Sequence, residues 1–335
     1  MSFINREKII NNKRELAPVL LVAFNRPVHF SKTLKALSKN TLAKKTNLYI
    51  SIDGPVKSED KEAQRLIYDN IKLNSYNFLK INIIKNKKNK GLSSNIIESI
   101  SNVLIKHNKI IVLEDDLISS IRFLEYINDA LDFYENKKKI WHINGYNQIN
   151  NENKENDIFL WRFMNCWGWA TWKDRWQYFD KKPLSLIEKF NKDMIYRFNL
   201  DGTTNSWNQV KLNANGELNT WAIFWYATIF INDGICVSPW FSYIGNIGLD
   251  GSGTNCELKK SKLQKLNHYG KFIGTYNYQE DKEALEIMKR AYKRPLIKKI
   301  IYGFFKKILG KYIYQNLKKM IQNLNYELSK FFIKN

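Results

Sequence analysis

The chain runs to 335 residues, enough for one large α/β domain or two small ones with ample core. Hydrophobic residues make up 44% of it, ordinary for a globular protein, and three cysteines (Cys166, Cys236, Cys256) without CxxC spacing exclude a zinc site and indicate a reducing compartment. A net charge of +22 admits nucleic acid, an anionic membrane or an anionic substrate as partner, although AT-rich coding alone would give the same Lys, Asn and Ile bias.

No apolar leader precedes Leu16, and the apolar run 17–24 suits a strand and is too short to span a bilayer. The body is therefore expected to be soluble and cytoplasmic. Residues 18–24 read as a strand, 28–37 as a helix, and 48–52 as a second strand ending in Asp53-Gly54-Pro55. A helix over 59–72 precedes a strand at 81–84; Gly91 opens another helix, reaching about 107. Next comes Ile110-Ile111-Val112-Leu113-Glu114-Asp115-Asp116-Leu117, then a helix over roughly 119–135 and a strand at 140–144. This βαβα order predicts an α/β fold with a mostly parallel, doubly wound sheet, in which the turns at 25–26, 53–54 and 114–116 converge on one edge.

Residues 1–150 thus form one α/β half. Residues 151–290, less periodic and rich in Trp, read as a second half woven onto the first, and 291–335 as a tail. Apolar residues in the tail recur from 296 to 324 with helical spacing, and residues 296–335 hold nine Lys and one Glu. Such a segment, with Phe304, Phe305, Tyr312 and Tyr314, fits an anionic membrane interface. The alternative is a helical hairpin packed on the body with solvated lysines.

The acidic run carries the most chemistry. Four aliphatic residues make a buried parallel strand, and three adjacent acids at its carboxyl end need solvent, a cation or a positive partner. A hard divalent cation bound by one or two carboxylates and phosphate oxygens would suit the position, because ligands bind at strand carboxyl ends in open α/β sheets. The plainer alternative is an acidic cap on the next helix. Arg26 and Asp53 follow the first two strands, where an arginine can pair with a diphosphate and a carboxylate can accept from a base NH. Residues 166–176 place four Trp around Asp174: either an apolar wall for sugar rings with a carboxylate base, or a Trp-rich core with Asp174 paired to Arg175.

Taken in order, Pro-Val-Leu-Leu-Val-Ala-Phe-Asn-Arg, Ile-Asp-Gly, Leu-Glu-Asp-Asp, Gly-Trp-Ala-Thr-Trp and Asn-Ile-Gly-Leu-Asp-Gly-Ser-Gly resemble the GT-A glycosyltransferases. Within them the chain looks closest to bacterial surface-polysaccharide enzymes related to N-acetylglucosaminyltransferase I, over residues 17–256. The resemblance implies Asp116 as ligand of Mn²⁺ or Mg²⁺, Glu114 and Asp115 at the ribose of a nucleotide sugar, Arg26 at the diphosphate and Asp53 at the base. It implies Asp174 as catalytic base, but Trp-Lys-Asp-Arg-Trp holds one residue more between its tryptophans than the family's motif, so Asp250 and Glu217 stand as alternatives. Trp169, Trp172, Trp221, Asp250 and Gly253 would line the donor and acceptor pocket.

The implied activity is metal-dependent, inverting transfer from a nucleotide sugar, UDP-linked and with UDP-GlcNAc as one candidate, to a glycan or lipid-linked acceptor at the inner face of the cytoplasmic membrane. A sugar-nucleotide nucleotidyltransferase is the second reading, though Asn25-Arg26-Pro27-Val28 replaces the expected glycine-rich loop. A basic membrane- or nucleic-acid-binding protein is the third, but it has no use for three clustered acids, and no specific nucleic-acid partner is expected. His29, His107, His142 and His268 are scattered and receive no role.

Overall fold

A computed structural model describes residues 14–149, 151, 158–250 and 264–292. The 296–335 tail, Gly253 and Cys256 lie outside these residues.

The chain begins with β1 (Val19–Ala23), five buried aliphatic residues, and turns through Asn25-Arg26 into α1 (Pro27–Ser38). Proline at the first helical position has its φ already set for a helix, and the amide hydrogen it lacks would have gone unbonded there. Strand β2 (Asn47–Ile52) follows, then α2 (Ser58–Leu73), whose start is fixed by the Asp60 carboxylate accepting from the amides of Val56 (3.0 Å) and Lys57 (3.1 Å). Next come β3 (Lys80–Lys85), α3 (Gly91–Lys106), β4 (Lys109–Glu114), β5 (Leu117–Ser119), α4 (Phe123–Tyr134) and β6 (Ile140–Asn144). The remainder comprises β7 (Ile158–Trp161), β8 (Trp169–Trp172), the short α5 (Lys173–Trp176), α6 (Pro183–Lys189), α7 (Lys192–Phe198), α8 (Trp207–Ala214), α9 (Ala222–Ile231), β9 (Ile235–Pro239), β10 (Ile244–Asn246) and α10 (Lys282–Tyr292).

Eight strands form one sheet in the order β3-β2-β1-β4-β8-β6-β9-β7. The β3-β2, β2-β1, β1-β4 and β6-β9 pairs are parallel, and only β8 and β7 run against the rest. The fold is therefore mixed α/β with a mostly parallel sheet, and the two halves of the chain share it through the β4-β8 and β8-β6 pairings.

Alternation along the central strands feeds two cores. Val19, Leu21, Ile111 and Leu113 pack with Phe30, Leu34, Ile67 and Ile127 on the face covered by α1, α2 and α4. Leu20, Val22, Ile110 and Val112 pack with Ile96, Ile100, Phe224 and Met288 on the face covered by α3, α9 and α10. Burial on both faces explains why these strands read as continuous aliphatic runs.

One local expectation changes. The acids do not cap the following helix, because β5 intervenes and α4 starts only at Phe123 with no side-chain cap. Residues 115–116 form the turn between β4 and β5, and β5 pairs antiparallel with β10, Leu117 opposite Asn246. The acids are thus held between strands and not spent on a helix end.

Candidate functional site

Strand order places a topological switch beside β4. From β1 the chain moves outward to β2 and β3, then returns across β1 to form β4, so the connections after β1 and β4 part at their carboxyl ends, the place where open α/β sheets bind ligands. Arg26 stands after β1, and Glu114, Asp115 and Asp116 close β4. The backbone fixes this turn from two sides. Thr33 on α1 donates to the Asp115 carbonyl at 2.8 Å, and the Ile247 amide donates to the Asp116 carbonyl at 2.9 Å.

The Arg26 Nη2 bridges both aspartates, donating to Asp115 Oδ1 and, at 3.0 Å, to Asp116 Oδ2. Its Nη1 is buried without a hydrogen-bond partner. Asp115 and Asp116 are themselves buried, at 3% and 6% exposure. Burial, followed by the charges of Asp116 and Asp115, pushes the Glu114 carboxyl up to about 8; Arg26 opposes this only in part. Burial likewise raises Asp115 to about 6, against the pull of Arg26. For Arg26 burial acts downward, but the two aspartates outweigh it and the guanidinium is held more firmly charged than usual. One guanidinium therefore faces three carboxyls, and the site has a deficit of positive charge.

Two further groups close on the turn. Gly248 lies so near Asp116 that a Cβ there would meet Oδ2 at 2.1 Å, and its amide donates to Asn246 Oδ1 at 2.6 Å. His29, on the first turn of α1, donates through Nε2 to Asp250 Oδ2 at 3.0 Å, bringing Asp250 to the same edge of the sheet. The sequence reading passed over His29. Its only signal was its place three residues after Arg26, one helical turn along α1.

Asp53 lies at the neighbouring strand end, its amide bonded to the Ala23 carbonyl at 3.2 Å. Its carboxylate accepts from the Gly54 amide (2.9 Å) and the Lys90 amide (3.0 Å), so it holds the loop entering α3. Gly54 is required there, since a Cβ would sit 2.2 Å from the Lys88 carbonyl carbon.

The Trp block is placed differently from expectation. Because β8 runs antiparallel to β4, with Trp172 opposite Lys109 and Trp169 opposite Val112, the residues after Trp172 leave at the amino end of β4. Asp174 therefore lies at the opposite edge of the sheet from the acids, ion-paired with Lys138 and, at 2.6 Å, with Arg175. Those pairings outweigh its burial and lower its pKa. The structure does not bring Asp174 to the site. Trp169 and Trp172 are core residues, at 0% and 1% exposure, and Trp221, also buried, stacks on Trp169 at 5.5 Å. None of the three lines a pocket open to a sugar. Glu217 is exposed on the connection between α8 and α9. Trp167 precedes β8, at the end of that strand nearer the carboxyl end of β4, where it is partly exposed and packs on Tyr146 at 4.5 Å.

Among the described residues no group of three His, Cys, Asp or Glu side chains forms a ready metal cage. What the acids offer is two buried aspartates, both held by Arg26, with Glu114 beside them in a site short of positive charge. That suits Mg²⁺ or Mn²⁺, which keep waters and take phosphate oxygens alongside one or two carboxylates. The residues present fit such an ion.

Fold and edge together define an α/β protein with a cluster of acids and one arginine at the switch point of its mostly parallel sheet. No family model matches the chain, and no curated protein matches it. Among solved structures it is similar to a mannosyltransferase from Pyrobaculum calidifontis in complex with GDP-Man and Mn²⁺, at 6% identity, covering 64% of this chain and 72% of that one, with a TM-score of 0.36. Residues 1–349 of S. aureus TarS align at 12% identity over 68% of this chain and 60% of that one (TM-score 0.38). A UDP-glucose pyrophosphorylase complexed with UDP-glucose aligns at 10% identity over 68% and 91% (TM-score 0.35). At these scores the likenesses carry no argument about activity, which rests on the site itself.

Proposed function

We propose that the chain is a divalent-cation-dependent glycosyltransferase acting on a nucleotide-sugar donor. The observation that carries this is the Arg26–Asp115–Asp116 cluster at the β1/β4 switch point. Asp116, with Asp115 beside it, would hold the cation, which when bound neutralises charge on the departing diphosphate. Arg26 supplies a fixed positive charge for the same diphosphate. Glu114 and Asp115 face the ribose, and Asp53 shapes the base side by fixing the loop into α3.

Asp250 takes the place of Asp174 as the base. Oriented by His29, it removes the proton from an acceptor hydroxyl as that oxygen bonds to the anomeric carbon and the carbon–diphosphate bond breaks. A single displacement of this kind inverts the anomeric centre. Trp167 and Tyr146 offer a partly exposed aromatic surface for a sugar ring. The nucleotidyltransferase reading is weaker, since α1 begins directly after Arg26 with a proline and leaves no glycine-rich loop to wrap a triphosphate.

UDP as the nucleotide, a glycan or lipid-linked acceptor, a role in surface polysaccharide synthesis and attachment to the inner membrane face complete the proposal. Support for attachment comes from the nine lysines and helical apolar spacing of residues 296–335. Among the described residues no helix is long and apolar enough to cross a membrane. The test is thermal-shift titration of wild type and Asp116→Asn with UDP-sugars, with and without Mn²⁺. Stabilisation by one UDP-sugar that needs both Mn²⁺ and Asp116 supports the assignment; near-normal metal-dependent binding by the variant sinks it.

A further inference from the structure

Three features of Arg26 do not follow from a role as a passive diphosphate contact. Its Nη2 lies 3.0 Å from Oδ2 of Asp116, the proposed metal ligand, and bridges to Asp115 as well. Its Nη1 is buried with nothing to donate to. The carboxylates beneath it are buried too, so they cannot turn to solvent for a second counter-charge. A divalent ion held by Asp116 would set like charge beside the Arg26 guanidinium in a poorly screened site.

We propose that Arg26 is a built-in counter-cation that competes with the divalent metal for Asp115 and Asp116, making metal and nucleoside diphosphate enter cooperatively. The inference rests on the reading of Asp116 as metal ligand. A metal alone must displace Arg26 and finds no further cluster of protein ligands among the described residues to compensate. A diphosphate changes both terms. Its oxygens draw the guanidinium away and give the idle Nη1 an acceptor, in the two-pronged geometry that arginine favours. The same oxygens complete the metal's coordination shell. Each ligand then raises the other's affinity by the same factor, as linkage requires. The arrangement partly compensates the acids between turnovers and makes the metal-loaded site form only around a donor.

The experiment is titration of Mn²⁺, followed by the loss of its free-ion EPR signal, into wild type, Arg26→Gln and Asp116→Asn, each with and without UDP. Wild type should bind Mn²⁺ weakly alone and at least tenfold more tightly with UDP. Arg26→Gln should bind Mn²⁺ alone at least tenfold more tightly than wild type and lose most of the gain from UDP. Should Arg26→Gln not fold, Arg26→Lys, which keeps a charge but cannot present two forked donors, should bind Mn²⁺ alone more tightly than wild type and gain less from UDP; binding no tighter than wild type overturns the competition. Equal or weaker Mn²⁺ binding by the Arg26 variant, with Asp116→Asn blank, overturns the competition and leaves the metal site standing. Mn²⁺ binding that ignores Asp116, or none to wild type even with UDP, overturns the metal site and the competition together.

Discussion

Gly248 is pressed against Asp116: a methyl group at its Cα would fall 2.1 Å from Oδ2 and 2.8 Å from the carboxyl carbon. The loop after β10 thus uses a missing side chain to make room for the carboxylate. Gly248→Ala is expected to push Asp116 out of position and lower Mn²⁺ affinity, measured with UDP present, by at least tenfold. Gly248 is itself buried, so the overpacking should also lower the unfolding free energy, by about 1–3 kcal/mol. Unchanged Mn²⁺ affinity would show that Asp116 has room to spare.

Asp174 and Asp250 make opposite predictions. Asp174 is a partly exposed ion-pair partner at the far edge of the sheet, and Arg175 keeps its carbonyl partners Glu135 (2.7 Å), Ile140 and Lys137 without it. Asp174→Asn should therefore leave the transfer rate within about twofold and cost no more than about 1 kcal/mol, the scale of exposed ion pairs. Asp250→Asn should lower kcat by about 10²–10⁴, the usual contribution of a general base. Comparing both variants under saturating donor decides the matter; a crippled Asp174→Asn with an active Asp250→Asn would return the base to the Trp block.

The sheet's first half was legible because β1 and β4 are buried on both faces and so appear as nearly unbroken aliphatic runs, while β2 alternates, with Leu48, Ile50 and Ile52 inward. The acidic edge was legible for a related reason: three charges after such a run have nowhere to go but the strand end. What could not be read was direction. Residues 169–172 look like a strand, but only the long-range pairing with β4 and β6 shows that it runs backwards and carries Asp174 away from the site. Trp density was equally ambiguous, since Trp169 and Trp172 suit a core as well as a sugar wall. The contacts of Gly248 with Asp116 and of Asp250 with His29 join residues more than a hundred positions apart, and no local pattern encodes them.

The block's aromatic residues should separate by burial. Trp169 is fully buried between His142, Trp221 and Trp225, so Trp169→Ala should cost about 3–5 kcal/mol as a cavity-forming core substitution. Trp167→Ala removes a partly exposed ring from the Tyr146 pair just before β8. It should cost far less stability while raising the KM for donor or acceptor several-fold. Chemical denaturation together with steady-state kinetics distinguishes the two, and a Trp167 variant with unaltered KM for both substrates would remove it from the site.

His142 predicts a pH dependence of stability. It is fully buried, its Nε2 donates to Asn144 Oδ1 (2.8 Å) and the Asn165 carbonyl (3.0 Å), and its Nδ1 accepts from Trp225 Nε1 at 3.1 Å. Both ring nitrogens are thereby committed to the neutral tautomer, and a second proton would point at the Trp225 N–H. Burial is the main cause that lowers its pKa from 6.5 to about 4, with the Asn165 and Asn144 bonds acting the other way. The folded state therefore resists a proton that the unfolded chain accepts. The stabilisation is intact above pH 6.5 and is lost as pH falls towards 4, in all about 3 kcal/mol by linkage. The raised Glu114 and Asp115 carboxyls act with the opposite sign, favouring the folded state as pH falls, but they are common to wild type and a His142 variant and cancel between them. Urea unfolding at several values between pH 7.5 and 4 should show wild type losing stability more steeply than His142→Gln; parallel curves would mean that His142 takes up its proton in the folded protein as readily as in the unfolded chain.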